Sequence, residues 1–294
     1  FVLKGGILDG HAGFRFSQFL AASHVLRNLK LREQSISKTE RTVGRANDGK
    51  SGDIPVTVVV PVLNEEKNLP ACLARLHRFS HVLVVDSGSR DRTCEIAEEF
   101  GAHVINFEWN GRFPKKRNWT LRNHTFETEF VLFLDADEYV SKAFCEEVKE
   151  KTAKTEHDGF WLSFHNFFLG RFLKYGTAFT KLALLRVGAG EYERIDEERW
   201  SHLDMEVHEH PILDGTTGEI KAPIEHDDYK GLDAYVRRHN EYSTWEAQRY
   251  RALMAQGDTL AEGFTRRQRV KYRAVRRWWM APMYFLVTYV AQRG

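Results

Sequence analysis

The chain has 294 residues, 42% of them hydrophobic, enough for one large core or a core with an appendage. A balance of 43 basic against 41 acidic residues leaves a formal charge of +2, too small to suggest nucleic acid as a partner. The three cysteines, Cys72, Cys94 and Cys145, show neither zinc-site spacing nor a disulfide framework and fit a reducing compartment, and no apolar run suits a bilayer span or a signal peptide.

In chain order, residues 1–31 carry Leu-Lys-Gly-Gly-Ile-Leu-Asp-Gly (3–10). A helical pattern follows, with Phe16, Phe19, Leu20, Val25, Leu26 and Leu29 set among Arg15, Arg27 and Lys30. Residues 1–34 therefore read as a helical tail segment, and the polar, glycine-containing residues 35–53 as a linker. Residues 56–60 form the first buried strand, closed by Pro-Val-Leu-Asn-Glu-Glu (61–66). A helix is predicted from about 69 to 78, with Leu69, Leu73 and Leu76 on one face. The second strand, 82–86, breaks at Ser-Gly-Ser-Arg-Asp (87–91) before a helix over 93–100 and a shorter strand over 102–107. Residues 115–123 read as a basic helix. Strands and helices alternating at this spacing imply parallel βαβ units and an α/β fold. No Gly-x-Gly-x-x-Gly follows the first strand and no P-loop occurs, which argues against dehydrogenases and NTPases.

The apolar run 130–134 shows no alternation, which suits a strand buried on both faces. It stops at Asp135-Ala136-Asp137-Glu138. Two carboxylates one residue apart at a strand's carboxyl edge can share a hard cation and leave its other positions to water and phosphate oxygens. Alone, the pair would equally suit an acidic loop before a helix.

Three motifs, Val-Val-Val-Pro-Val-Leu-Asn-Glu-Glu (58–66), Val-Val-Asp-Ser-Gly-Ser-Arg-Asp-Arg-Thr (84–93) and Phe-Leu-Asp-Ala-Asp-Glu (133–138), occur in this order and spacing. Together they resemble glycosyltransferase family 2, with its GT-A fold. Lys-Arg-Asn (116–118) and Val-His-Glu (207–209) resemble the branch that includes lipopolysaccharide-core β-glucosyltransferases. The resemblance spans roughly residues 56–225.

It implies an inverting transfer from a nucleotide-diphospho-sugar, assisted by Mg2+ or Mn2+. Asp137 would be the direct metal ligand, and Asp135 would face the ribose or hold a metal-bound water. Asp86 would accept hydrogen bonds from the nucleobase, with Pro61, Asn64, Glu65 and Ser87 lining the same pocket. Asp86 could instead simply close the turn before Ser-Gly-Ser. Lys116 and Arg117 are the diphosphate partners, because a guanidinium offers a planar fork to phosphate oxygens. The alternative for Lys115 and Lys116 is a solvated basic helix face.

For the base, Glu209, Glu206 and Asp204 all qualify by type. The Val-His-Glu match favours Glu209, with His208 as a further metal or diphosphate ligand. The aromatic stretch 160–172, with Trp161, Phe164, Phe167 and Phe168, belongs either to the acceptor side or to the core.

Residues 54–230 thus read as the GT-A domain and 231–294 as a helical, basic and aromatic region. Residues 231–256 suit a charged amphipathic helix with Tyr235, Tyr242 and Trp245. Residues 264–293 mix eight basic side chains, among them Arg266, Lys271 and Arg277, with Trp278, Trp279 and Tyr284. That mixture suits either peripheral contact with an anionic membrane surface or a helix packed on the domain. The expected acceptor is a lipid-linked saccharide at the cytoplasmic face of a bacterial inner membrane. Transfer to a polyprenyl phosphate, or binding of nucleotide-sugar without turnover, are the alternatives. Reading from Gly294 into Phe1 restores the motif order of the family, so the chain order looks circularly permuted. Permutation would set the first helix beside residues 266–293, with Phe1 near Gly294. The rival account makes residues 1–31 the tail of a preceding domain.

Overall fold

Uninterrupted Val, Leu and Phe runs can satisfy their backbone only in the middle of a sheet covered on both faces, and the strands nearest the site are of that kind. The structure, a computed structural model, describes residues 10–35, 52–174, 179–195, 197, 201, 203, 204 and 209–255. Helix α1 (Gly10–Ser35) precedes β1 (Ile54–Val62), α2 (Leu69–Leu73), β2 (Phe79–Asp86), α3 (Thr93–Glu99), β3 (His103–Asn106), α4 (Lys116–Asn123) and β4 (Phe130–Phe133). There follow β5 (Glu138–Tyr139), α5 (Lys142–Ala153), β6 (Gly159–Phe168), β7 (Arg171–Phe172), β8 (Thr180–Arg186), β9 (Gly190–Tyr192), β10 (Pro211–Leu213), β11 (Thr217–His226) and α6 (Leu232–Ala255).

The main sheet runs β3-β2-β1-β4-β8-β6-β11-β5, with β7 hung on β6; β9 and β10 pair separately. Strands β3, β2, β1 and β4 are mutually parallel, as the alternation of strand and helix predicts. Beyond β4 the sheet becomes mixed: β8 is antiparallel to both β4 and β6, while β6 and β11 are parallel. Every residue of β1 except Pro55 is buried, as is all of β4. Each fully buried Val, Leu or Phe contributes about 1.5–3 kcal/mol, so this half of the sheet is the rigid floor of the site.

Helix α2 is shorter than its apolar spacing predicts. The N–H groups of Arg75 and Leu76 donate to Cys72 and Leu73, three residues back, at 3.0 Å. The helix thus tightens into turns that deliver Phe79 to the start of β2.

Helix α1 reaches the beginning of α6. Gly231 has φ +89°, and its missing Cβ leaves room for the Glu33 carboxylate, which accepts from the Leu232 N–H at 2.6 Å. Lys30 pairs with Asp233 beside it. The expected neighbourhood of residues 266–293, and of Phe1 with Gly294, lies outside the described residues. So does the basic, aromatic stretch read as a membrane contact. No described helix is long and apolar enough to cross a membrane.

Candidate active site

The carboxyl ends of β1, β2 and β4 open on one edge of the sheet, where the next residues in sequence are the motif loops. Asp86 ends β2 and is buried. Its carboxylate accepts from the N–H groups of Gly88 and Ser89, each at 2.9 Å, and from the Ser89 hydroxyl at 2.5 Å. Burial pushes this carboxyl up, but the Ser89 and Gly88 hydrogen bonds outweigh it and hold it below its usual range. Asp86 therefore does close its own turn. Asn64, at φ +56°, locks that turn to the loop after β1 by accepting from the Arg90 N–H at 2.8 Å. Its own N–H donates to the Ser89 hydroxyl. Pro61 is buried at the end of β1. Glu65 accepts from Lys230 at 2.5 Å and Asn68 at 3.0 Å, and burial raises its pKa against the pull of Lys230.

After β4 the acidic loop divides its charges between two sets of partners. Asp135 accepts from Arg117 at 2.6 Å and from Lys181 on β8 at 3.0 Å. Burial opposes its ionisation, yet Lys181 and Arg117 hold it well below the usual carboxylate range. Glu138 accepts from the Asp135 N–H at 2.9 Å and from Lys181 at 3.1 Å. Burial, helped by the charge of Asp135, pushes Glu138 up in spite of that lysine. Asp137 meets other partners: His226 Nε2 lies 3.5 Å from its Oδ2, and an Arg238 nitrogen lies 3.8 Å from the same atom. The other ring nitrogen of His226 is 3.0 Å from Asn166 Oδ1 on β6, which fixes the ring. Burial would lower the His226 pKa; the hydrogen bond and charge of Asp137, with Glu138 and Asp135 behind it, raise it to about 9. Arg238, from α6, also bonds Asp228 at 2.9 Å.

The start of α4 is not a solvated basic face, because Lys115, Lys116 and Arg117 are all buried. Lys116 donates to the Val62 carbonyl at 2.9 Å and pairs with Asp204 at 3.2 Å. Burial lowers its pKa more than Asp204 and Asp86 raise it. The Ser87 hydroxyl also donates to Asp204, so this carboxylate is hooked over the ends of β1 and β2. Lys115 turns elsewhere, to buried Glu209 at 2.9 Å and to Glu197, which in turn accepts from the Trp245 indole of α6. Burial pushes Glu197 up. Glu209, Glu197, Lys115, Trp109 and Phe113 line a cavity of about 20 Å3, room for a water rather than a sugar. Glu206 and His208 lie outside the described residues.

Residues 57–206 match the profile described as "Glycosyl transferase family 2", which is just over half of the chain. The chain belongs to glycosyltransferase family 2. Its sheet, parallel on one side of β4 and mixed beyond it, is the GT-A arrangement expected of a family member.

A lipopolysaccharide core biosynthesis glycosyltransferase, LpsC, of Rhizobium meliloti is 26% identical over 212 residues. That match covers 66% of this chain and 71% of LpsC. A 4,4'-diaponeurosporenoate glycosyltransferase of Staphylococcus haemolyticus is 37% identical over 89 residues, covering 28% of this chain and 24% of the relative. Among solved structures, glucosyl-3-phosphoglycerate synthase from Mycobacterium tuberculosis with Mn2+, uridine-diphosphate and phosphoglyceric acid aligns over 67% of this chain and 79% of its own. The identity there is 17% and the TM-score 0.38.

In this glycosyltransferase the donor set that converges best is Asp137 Oδ2 with His226 Nε2. A carboxylate oxygen suits a hard cation such as Mn2+ or Mg2+, whereas an imidazole must first lose its proton to ligate one. No group of three or more His, Cys, Asp or Glu side chains gathers among the described residues. His226, Lys181, Arg238 and Glu197 were not assigned roles from the sequence. A lone lysine in the apolar run of β8 and a histidine heading His-Asp-Asp (226–228) were the available signals. Nothing in the pattern separates Arg238 from Arg237.

Proposed function

We propose that the chain transfers a sugar, with inversion, from a nucleotide-diphospho-sugar to a hydroxyl of a lipid-linked saccharide of the lipopolysaccharide-core kind. The observation that carries this reading is the ring of charge at the end of β4. Asp135 sits between Arg117 and Lys181, and Asp137 faces His226 and Arg238. Paired carboxylates flanked by cations at a sheet's carboxyl edge suit a metal diphosphate. The similarity to LpsC supports the class of acceptor.

Asp137 would hold the Mg2+ or Mn2+, which when bound offsets the charge that builds on the departing diphosphate. Arg117 and Lys116 are buried cations next to that region, and Arg238 reaches it from α6; a guanidinium there can fork onto phosphate oxygens. The Asp86 turn, with Pro61, Asn64, Glu65 and Ser87, forms the nucleoside end. Asp86 already accepts from Gly88, Ser89 and Cys94 in closing its turn, so accepting from a base requires it to give up one of those bonds. Glu209 takes the proton of the attacking hydroxyl, and Lys115 holds that carboxylate in place with a hydrogen bond of 2.9 Å. Asp204 instead braces Ser87 and Lys116.

The test is hydrolysis and transfer of a panel of nucleotide-diphospho-sugars with Mn2+, with Mg2+ and with chelator, read beside thermal stabilisation. A matched donor at one hundred times its Kd should add about 2.7 kcal/mol of apparent stability. No stabilisation and no turnover across the panel would overturn the reading.

A further inference from the structure

The mixed end of the sheet carries a second kind of surface beside the site. Strand β6 runs past Asn166, the residue that holds His226, into Phe167 and Phe168, and turns at Leu169 and Gly170 into β7. Both turn residues have positive φ, +48° and +71°, so the reversal is tight and the hairpin projects as a narrow tip. Its side chains are apolar and open to solvent: Phe172 is 39% exposed, Leu173 51% and the neighbouring Phe179 46%. The Phe167 and Phe172 rings lie 5.6 Å apart, and Phe168 meets Tyr235 of α6 at 5.6 Å. Phe179 packs on Phe164 and Phe172 on Phe167, so exposed apolar groups lie on both sides of β6 near its end, and such groups mark interaction sites.

The charge along the hairpin's own strands has a single sign. Residues 159–190 contain no aspartate or glutamate, while Arg171, Lys174, Lys181 and Arg186 all fall within them. Lys181 and Arg186 are engaged with carboxylates of the domain. Arg171 and Lys174, which flank Phe172 and Leu173, form no ion pair with any described residue. An exposed apolar tip flanked by two cations that pair with no described residue complements a surface that is apolar within and anionic at its face.

We propose that the β6–β7 hairpin docks the enzyme on a lipid surface bearing anionic headgroups. Phe172, Leu173 and Phe179 enter the interface, and Arg171 and Lys174 sit at the headgroups. This deepens the functional reading above and rests on its lipid-linked acceptor. The Leu173 N–H donates to the Asn166 carbonyl at 2.9 Å, so the tip is fastened to the residue that holds His226, the partner of Asp137. Docking would present the Asp137 end of the sheet to sugars carried just above the membrane.

Flotation of the full chain with phosphatidylcholine vesicles, with and without phosphatidylglycerol, tests the assignment. The wild type should float with the anionic vesicles, and less so as salt rises. Phe172→Ser with Leu173→Ser should lower that partition by about tenfold or more. Arg171→Glu with Lys174→Glu should lower it on anionic vesicles by at least about fivefold per charge and leave neutral vesicles unaffected. Hydrolysis of a soluble donor should be the same in all variants, so a failure to float is distinguishable from a failure of the catalytic reading. Three results would overturn the proposal. One is a wild type that does not float, and another is variants that float like it. The third is a serine variant whose melting temperature or oligomeric state falls while flotation is unchanged, which would assign the patch to an internal contact or a second copy.

Discussion

Replacing Glu209 by glutamine separates a chemical role from a structural one, because its surroundings fix what the change should do to stability. Lys115 is buried and shared by two carboxylates, Glu209 at 2.9 Å and Glu197. Two carboxylates there share one ammonium. In Glu209→Gln the amide oxygen can still accept from Lys115, and the pocket becomes a single neutral ion pair with Glu197. The charge of Glu209 is one of the causes that lift Glu197, after burial, so Glu197 should return toward its ordinary range. Folding stability in urea should therefore change by no more than about 1 kcal/mol. Turnover should fall by about two to four orders of magnitude, or about 2.7–5.4 kcal/mol of transition-state stabilisation, with donor binding retained.

Lys115→Met is the opposite perturbation. It removes the cation both carboxylates share, and breaking a buried pair in this way costs about 3–5 kcal/mol. Turnover of Glu209→Gln near that of wild type would refute the base assignment. A loss of stability comparable to that of Lys115→Met would make Glu209 a structural anchor instead. If Asp204→Asn shows the kinetic loss and Glu209→Gln does not, the base is on the β1–β2 side.

Asp137→Ala should abolish transfer while the domain stays folded, and it has a readout independent of activity. The His226 pKa, held at about 9 by Asp137, should fall toward ~6.5 in an NMR titration, and a value unchanged at 9 would contradict the pairing. Arg238→Ala should raise the KM for the donor about tenfold with partial recovery in Arg238→Lys, since a lysine keeps the charge and loses the fork; an effect on kcat alone would argue against a diphosphate contact. Lys181→Met leaves Asp135 and Glu138 without their shared cation and should cost about 3 kcal/mol or more in urea melts, whereas a loss under 1 kcal/mol would mean that Arg117 alone holds the loop.

The parallel half of the fold was legible because its signal is local. A strand buried on both faces needs a continuous apolar run, and residues 56–60 and 130–134 supply it, each ending at the loop that bears chemistry. The acidic pair was legible for the same reason. The antiparallel half was not, because β6, β8 and β11 are held by pairings between residues 17 to 60 positions apart. The cations that complete the site come from that half and from α6. Residues whose meaning is set by a partner a hundred positions away, such as Lys115 with Glu209 and Arg238 with Asp137, leave no periodic trace. The α4 lysines show how far this can mislead. Lys115 and Lys116 read as an exposed basic stripe, yet each is buried against carboxylates that arrive from beyond residue 190.

Helix α6 binds these pieces into one device, which gives its polar, amphipathic sequence a purpose beyond covering the core. From one turn it sends Arg238 to Asp137 and Asp228, on the side proposed to hold the metal. Two turns later it sends Trp245 to Glu197, the carboxylate that shares Lys115 with Glu209, the proposed proton acceptor. A shift of α6 along its axis would therefore disturb both ends of the reaction together. Its first turn is fixed from outside. Gly231 has no side chain to cap the helix, and the Leu232 N–H is satisfied by Glu33 of α1, where a carboxylate also meets the positive end of the helix dipole. The N-terminal helix thus holds the element that carries Arg238 and Trp245, and so the catalytic edge of the sheet depends on a segment that lies before the first strand in the chain.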